Sequence, residues 1–367
     1  MPNPDLTARQ ATLEGERLPR YLGRGERRLV AAGQELMLYR PLGTSGIEAS
    51  VVAFGAWAIG GVWWGGSDEG EAIEAIHAAL DAGINLIDTA PIYGFGKSET
   101  VIGKAVAGHR EKVVIATKCG MRWDGQEVGQ FHAEAPVPGS EKPVRIYRNL
   151  KPDSIRSEVE GSLKRLGTSY IDLYQTHWQD ATTPIAETMD CLMDLQAEGK
   201  IRAIGVSNAS ADQMDGYRSA GAIHSDQERY SMLDGDSSGA NLEYCLENHV
   251  AFLAYSPLAH GLLTGKVDVS RTFAKGDFRR EHEAFSSVNI NRTRDLLSRL
   301  VPIATECDLT LAQLVIRWTV QQPGCTHALC GARNVQQARE NAHAGEAFLG
   351  EDAINAVSLA IDEYACR

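Results

Sequence analysis

The feature that most restricts this chain is an alternation: short apolar runs of strand length, each followed by a longer stretch of helical periodicity. Residues 47–54, 84–88, 113–118, 171–177, 201–207, 223–227, 250–255 and 327–330 supply eight strand candidates. Between them, residues 71–82 place Ile73, Ile76 and Leu80 on one helical face, and 155–166, 185–198, 241–248 and 334–344 behave likewise. Gly83 and Gly199 stand where two of these helices should stop, each just before a strand. Eight strand–helix units in 367 residues predict an α/β protein built as a closed (β/α)8 TIM barrel. The rival, an open doubly wound sheet, announces itself by GxGxxG after its first strand, and the sequence has no such match. Two apolar runs around Gly-Thr-Ser-Gly at 43–46 predict an N-terminal hairpin. Residues 310–321 and 351–366 are expected as extra helices outside the barrel. The expected organisation is an N-terminal extension over 1–36, of mixed charge and no clear period, and one barrel domain over 37–367.

Charge and cysteine usage remove whole classes of function. With 48 acidic against 36 basic residues, the net charge of −12 argues against a nucleic-acid partner, which needs basic surface to displace counterions. The seven cysteines are odd in number and form no CxxC, so neither a disulfide framework nor a zinc site is expected. A reducing, cytoplasmic setting fits, and the N-terminus lacks the apolar core of a secretion signal. Residues 49–67 carry no charge and approach membrane-spanning length, but they contain five glycines. They read as a strand entering a glycine-rich loop, and no membrane partner is expected.

The chemistry lies at the carboxyl ends of the strands. The second strand ends at Asp88, followed by Tyr93; the third ends at Lys118, the fourth at His177, and the fifth at Ser207 with Asn208 after it. The sixth reaches Gln227, the seventh Tyr255, and Arg333 follows the eighth. A barrel converges such positions on one mouth. A phenol of ordinary pKa, about 10, is a poor acid at neutrality, and a neighbouring ammonium favours its ionised form. A carboxylate beside the lysine keeps that ammonium charged and fixed, and a histidine can orient a substrate oxygen. No GxSxG, no matched cysteine nucleophile and no metal-ligand spacing are present, which leaves acid–base chemistry with an organic cofactor and no metal.

Several segments in order resemble the aldo-keto reductase family: Asp88-Thr-Ala-Pro-Ile-Tyr93-Gly, Ala116-Thr-Lys118, 163–178 ending Gln-Thr-His177-Trp, 199–208 ending Gly-Val-Ser-Asn208, Tyr255-Ser-Pro-Leu-Ala-His-Gly-Leu-Leu-Thr-Gly-Lys266, and Gly331-Ala-Arg-Asn followed by Arg-Glu-Asn341. The resemblance spans about 37–345, and Arg-Asn-Leu-Lys-Pro-Asp at 148–153 is similar to the bacterial branch near inositol-utilisation reductases. It implies Tyr93 as general acid in carbonyl reduction, Lys118 as the group that lowers its pKa, Asp88 as the holder of Lys118, and His177 as the residue that positions the carbonyl. It implies direct hydride transfer from a nicotinamide on which Tyr255 stacks. Ser207, Asn208 and Gln227 then bind the carboxamide. Ser256, Pro257, Leu258, Gly261 and Leu263, with Lys266 at the end of the same segment, fold over the pyrophosphate. Gly331, Ala332, Arg333, Gln337, Glu340 and Asn341 hold the adenosine end. Arg333 suits a 2′-phosphate, so NADP(H) is favoured with NAD(H) possible, since position 331 is glycine where some members carry lysine.

Other residues carry weaker signals. Trp57 is expected at the cofactor as an apolar wall facing substrate, while Trp63 and Trp64 suit wall or core equally. Trp123, Trp178 and the Phe131-His132 pair are similar candidates from later loops. His260 reads as structural, Arg279 and Arg280 as an exposed charge pair, contact with an anionic substrate or cofactor phosphate being the alternative, and the cysteines as core thiols, with Cys119 beside Lys118 the one reactive candidate. Gly94-Phe-Gly-Lys-Ser98 imitates a phosphate loop but has Pro91 where the pattern demands glycine. The long connections 120–151 and 256–291 are expected as functional loops on the catalytic face. The resulting expectation is an NADP(H)-dependent reductase of an aldehyde, ketone or sugar carbonyl, a homo-oligomer being possible. The alternatives are a dehydrogenase oxidising an inositol or sugar hydroxyl, a non-catalytic NADPH-binding regulatory subunit, and a redox-independent isomerase.

Overall fold

The computed structural model describes residues 37–137, 140, 142–234, 239–346 and 348–365, with the backbone of Arg27–Arg28. The expected extension over 1–36 therefore lies outside the described residues, apart from Arg27–Arg28, which pairs antiparallel with Leu38 and Tyr39. Cys366 also lies outside them.

Eight parallel strands close into a barrel in chain order: Val52–Gly55, Leu86–Asp88, Val114–Cys119, Ile171–Thr176, Ile201–Ser207, Ser225–Arg229, Ala251–Tyr255 and Cys325–Gly331. The last strand pairs with the first, Ala328 opposite Val52 and Gly331 opposite Gly55. All eight sequence candidates find a strand. The run 47–54 is the exception in detail, because it supplies two. Glu48–Ser50 completes the hairpin with Leu38–Pro41, Val51 donates its amide back to Leu38 at 3.0 Å, and Val52–Gly55 then enters the barrel. The uncharged stretch 49–67 is thus strand, short 3-10 turn and loop. Among the described residues no helix is long and apolar enough to cross a membrane.

The hairpin stoppers one end of the barrel. Leu42, Ile47 and Ala49 join Ala53, Leu86, Val114, Leu173, Ala203 and Leu253 in a buried interior cluster. The turn passes so close to the sixth strand that a Cβ on Gly43 would lie 2.3 Å from the His224 carbonyl oxygen, and its φ of +53° suits glycine alone.

Helices Glu69–Asp81, Pro152–Leu166, Ile185–Ala197, Gly239–Asn248 and Val335–His343 match the expected ones within a few residues. Gly83 and Gly199 do follow helix ends with positive φ. Lys97–Ala105, Ala211–Ala220 and Ser287–Glu306 are additional. The expectation that 310–321 is an extra outer helix is overturned. Leu311–Val320 is buried along its length and packs on the eighth strand, so it is the barrel's own seventh helix. The outer pair is instead Ser287–Glu306 with the C-terminal Glu351–Ala365. The connection 120–151 is not a bare loop either: Met121–Arg122, Val144–Arg148 and Gln130–Ala135 form a small antiparallel sheet in that spatial order.

Candidate active site

At the end of the barrel opposite the hairpin, the inward positions turn polar. Asp88 closes a three-residue strand and is 4% exposed; Lys118, on the neighbouring strand, is fully buried. The Lys118 ammonium donates to both Asp88 oxygens at 2.8 Å, to the Thr89 carbonyl at 2.9 Å and to the Tyr93 hydroxyl at 3.4 Å. A buried charge is tolerated only when paired, and here one carboxylate faces one ammonium. Burial pulls the Lys118 pKa down while Asp88 opposes it. Gln227 donates its amide to Asp88 Oδ1 at 2.7 Å. One of the expected carboxamide binders thus already spends its amide nitrogen on the ion pair.

Tyr93 stands on the turn between the second strand and helix Lys97–Ala105. Close backbone approach fixes that turn: a Cβ on Gly60 would lie 2.5 Å from the Tyr93 carbonyl carbon, and one on Gly94 2.3 Å from the Gly60 oxygen. Its phenol is held well above the usual range, by burial first and by the Asp88 charge second. In this array burial and Asp88 outweigh the lowering that the Lys118 ammonium was expected to bring. His177 follows the fourth strand, its amide bonded to the Cys119 carbonyl at 2.9 Å. Its ring meets Tyr93 edge-on at 5.8 Å, and its Nδ1 is buried with no hydrogen-bond partner. Burial, then Lys118, then His132 keep this imidazole neutral.

These groups open onto a cavity of about 580 Å³. Asp88, Tyr93, His177, Trp57, Ser207, Asn208, Gln227, Tyr255, Ser256, Pro257, Leu258, Gly261, Lys266, Gly331, Arg333, Gln337, Glu340 and Asn341 line it. Lys118 lies beneath its floor. Leu263 and Ala332 do not face it: both are buried in the outer core, so of these two only the backbone can serve a ligand. Tyr255 donates to Asn208 Oδ1 at 2.9 Å, Asn208 donates to the His177 carbonyl at 2.9 Å, and Ser207 donates to the Gln227 carbonyl at 2.7 Å. Such mutual bonds hold the side chains at the mouth before any ligand arrives. Ser256, Ala259, His260 and Gly261 all have positive φ, the irregular backbone that lets amides converge on an anion. Lys266 pairs with Glu340 at 2.8 Å, and exposed Arg333 reaches the Gly66 carbonyl at 2.8 Å. The donor set, the cradle and two cations suit a nicotinamide dinucleotide.

Much of the remaining lining is aromatic. Trp57, Trp63, Trp64, Trp178 and His132 all line the cavity. Trp57 stacks on Phe278 at 5.5 Å and meets Trp64 edge-on at 5.1 Å. Trp123 instead packs against Phe95, and Phe131 is 48% exposed away from the cavity. Arg279 corrects the sequence reading. It lines the cavity, bonds buried Asp277 at 2.6 Å, and lies 4.8 Å over the Trp64 ring. Its neighbour Asp277 is an acid that only folding buries, which is what the exposed reading of the pair could not show. His260 also lines the cavity, with its pKa pulled down to about 4 chiefly by burial. The false phosphate loop is spent internally: Lys97 donates to Ser67 Oγ at 2.8 Å and Ser98 to the Ala56 carbonyl at 3.0 Å. Cys119 is buried with its thiol pKa pushed well up by burial, which removes the reactive reading.

Comparison with known proteins gives a consistent picture. The model described as "Aldo/keto reductase family" matches residues 51–362. The aldo-keto reductase YhdN of Bacillus subtilis is 41% identical over 304 residues, covering 82% of this chain and 86% of that protein. An NADH-specific methylglyoxal reductase of Escherichia coli is 40% identical over 307 residues, covering 82% and 91%. The structure of a glycerol dehydrogenase from Gluconobacter oxydans superposes with a TM-score of 0.79 at 36% identity, covering 90% of this chain and 96% of that one.

Proposed function

The chain belongs to the aldo/keto reductase family, and on that premise we propose that it reduces the carbonyl of an aldehyde, ketone or sugar with NADPH, Tyr93 acting as general acid. The observation that carries this reading is the buried Asp88–Lys118–Tyr93 array, whose phenol is held protonated at the floor of the cavity. A protonated phenol is the form that can give a proton to a developing alkoxide. Lys118 stabilises negative charge appearing on the Tyr93 oxygen as that proton leaves. Asp88 and Gln227 fix Lys118 in place, and neutral His177, beside Tyr93 in the cavity lining, orients the substrate oxygen. A bound reduced nicotinamide supplies the hydride. Residues 37–367 serve as one barrel unit for this purpose.

NADP(H) is favoured over NAD(H) because Arg333 stands exposed at the rim, where a guanidinium can grip a 2′-phosphate. The Escherichia coli relative is named for NADH, so this preference belongs to this chain's own residues. A second reading, oxidation of a polyol hydroxyl, draws on the glycerol dehydrogenase relative. It requires Tyr93 as phenolate, which burial and Asp88 oppose.

Tyr93→Phe is the direct test. It should lower kcat for aldehyde reduction by roughly 10²- to 10⁴-fold while leaving the NADPH dissociation constant nearly unchanged. Retention of most turnover would remove Tyr93 from the role of acid.

A further inference from the structure

The small sheet over the mouth contains an irregularity. Phe131 pairs with Tyr147 and Ala133 pairs with Ile146, so His132 is an extra residue between two consecutive partners. Such bulges re-aim a side chain. Here His132 lines the same cavity as Tyr93 and His177.

Arg148, on the partner strand, donates its Nε–H to His132 Nδ1 at 2.9 Å. A guanidinium has no lone pair to accept a bond, so Nδ1 must be the acceptor. The ring is then neutral, with its proton on Nε2. Burial and the Arg148 charge both hold the His132 pKa below its ordinary value, in keeping with this state. The arrangement is braced from a second side. Arg148 lies 4.8 Å over the Trp178 ring and donates to the Gln179 carbonyl at 3.4 Å, while Trp178 packs against His132 at 5.4 Å. A histidine whose acceptor nitrogen is capped by a cation presents one fixed N–H donor.

Resting on the reductase reading, we propose that His132 is a specificity-determining residue, whose Nε2–H binds a second oxygen of the substrate next to the reacting carbonyl. The substrate class is then an α-oxygenated carbonyl compound: a hydroxyaldehyde, hydroxyketone or 1,2-dicarbonyl. A plain aldehyde of the same length leaves that donor without a substrate partner.

Glyceraldehyde and propanal, both three-carbon aldehydes, separate the possibilities. His132→Phe should raise the glyceraldehyde KM and lower kcat/KM roughly tenfold, with propanal changed less than about twofold. His132→Gln, which supplies an N–H, should recover part of the loss. Nitrogen-15 spectra of the imidazoles should show His132 as the Nε2-protonated tautomer, and Arg148→Met should release it into a mixture. Equal losses on both substrates, no loss on glyceraldehyde, or an Nδ1-protonated ring would overturn the inference alone. A wild-type protein that turns over neither aldehyde with either nicotinamide would sink the reductase reading and this inference with it.

Discussion

The two ends of the barrel are lined from the same strands, often from the same strand two residues apart. Leu86 faces the hairpin plug and Asp88 the mouth; Ala116 and Lys118, Leu253 and Tyr255 divide in the same way. Side chains two apart on a strand share a face, so each pair points inward at a different height. The lower layer is apolar and closed by Leu42 and Ile47. The upper layer is a hydrogen-bonded array of Asp88, Lys118, Gln227 and Tyr93. One step along the pleat separates residues that hold the barrel from residues that give it chemistry.

Lys118→Met would break the contrast most severely. It strands a buried Asp88, so stability should fall by about 3–5 kcal/mol by denaturant titration, and turnover should be lost together with it. Adding Asp88→Leu should restore stability without restoring turnover; recovery of both would mean that the array is structural. Leu253→Ala, one layer below, is the mirror case. It should cost about 2–5 kcal/mol through the cavity it leaves, with kcat of the folded enzyme retained. Arg333→Ala sharpens the picture at the rim. The NADPH dissociation constant should rise roughly 10- to 100-fold with NADH little affected, and equal effects would contradict the 2′-phosphate assignment. A pH-dependent effect lies outside the barrel wall. Glu158 accepts the Gly120 amide at 3.1 Å on each of its oxygens, and burial raises its pKa from 4.5 to about 7. The folded state therefore binds this proton more tightly than the unfolded state. Stability should decline as pH rises from 4.5 to about 7, by at most about 1.4 kcal/mol per pH unit. Glu158→Gln should remove that part of the slope.

How much was legible in the sequence follows the same division. Strands buried on both faces read clearly, and their polar last residues marked the mouth, because burial makes a lone Asp88 or Lys118 conspicuous against Ile and Val. The substrate-side sheet did not read as strands, since Gln130–Ala135 is largely exposed and its order comes from pairing with Val144–Arg148. Helix Ala211–Ala220 carried an available signal, the Ser210 and Gln213 capping box, that an apolar-period search passes over. The helix at 287–306 was partly absorbed into a supposed loop, and its buried packing against the C-terminal helix then went to the wrong partner. Leu263 and Ala332 entered the site through motif resemblance, yet their side chains are core. Arg279 was legible as a residue able to meet an anion, but the exposed reading was preferred because the burial of its partner Asp277 becomes visible only when the chain folds.

The seam that closes the cylinder joins residues 52–55 to residues 328–331. A nascent chain must therefore emerge almost whole before its first barrel strand finds a second neighbour, and such distant pairing is slow to nucleate. Arg333, Gln337 and Asn341 come just after that closing strand. On the proposed reading, dinucleotide affinity would report completed closure: a fragment ending before Cys325 would hold Asp88, Tyr93 and Lys118 yet carry two raw sheet edges and lack the residues proposed for the adenosine end.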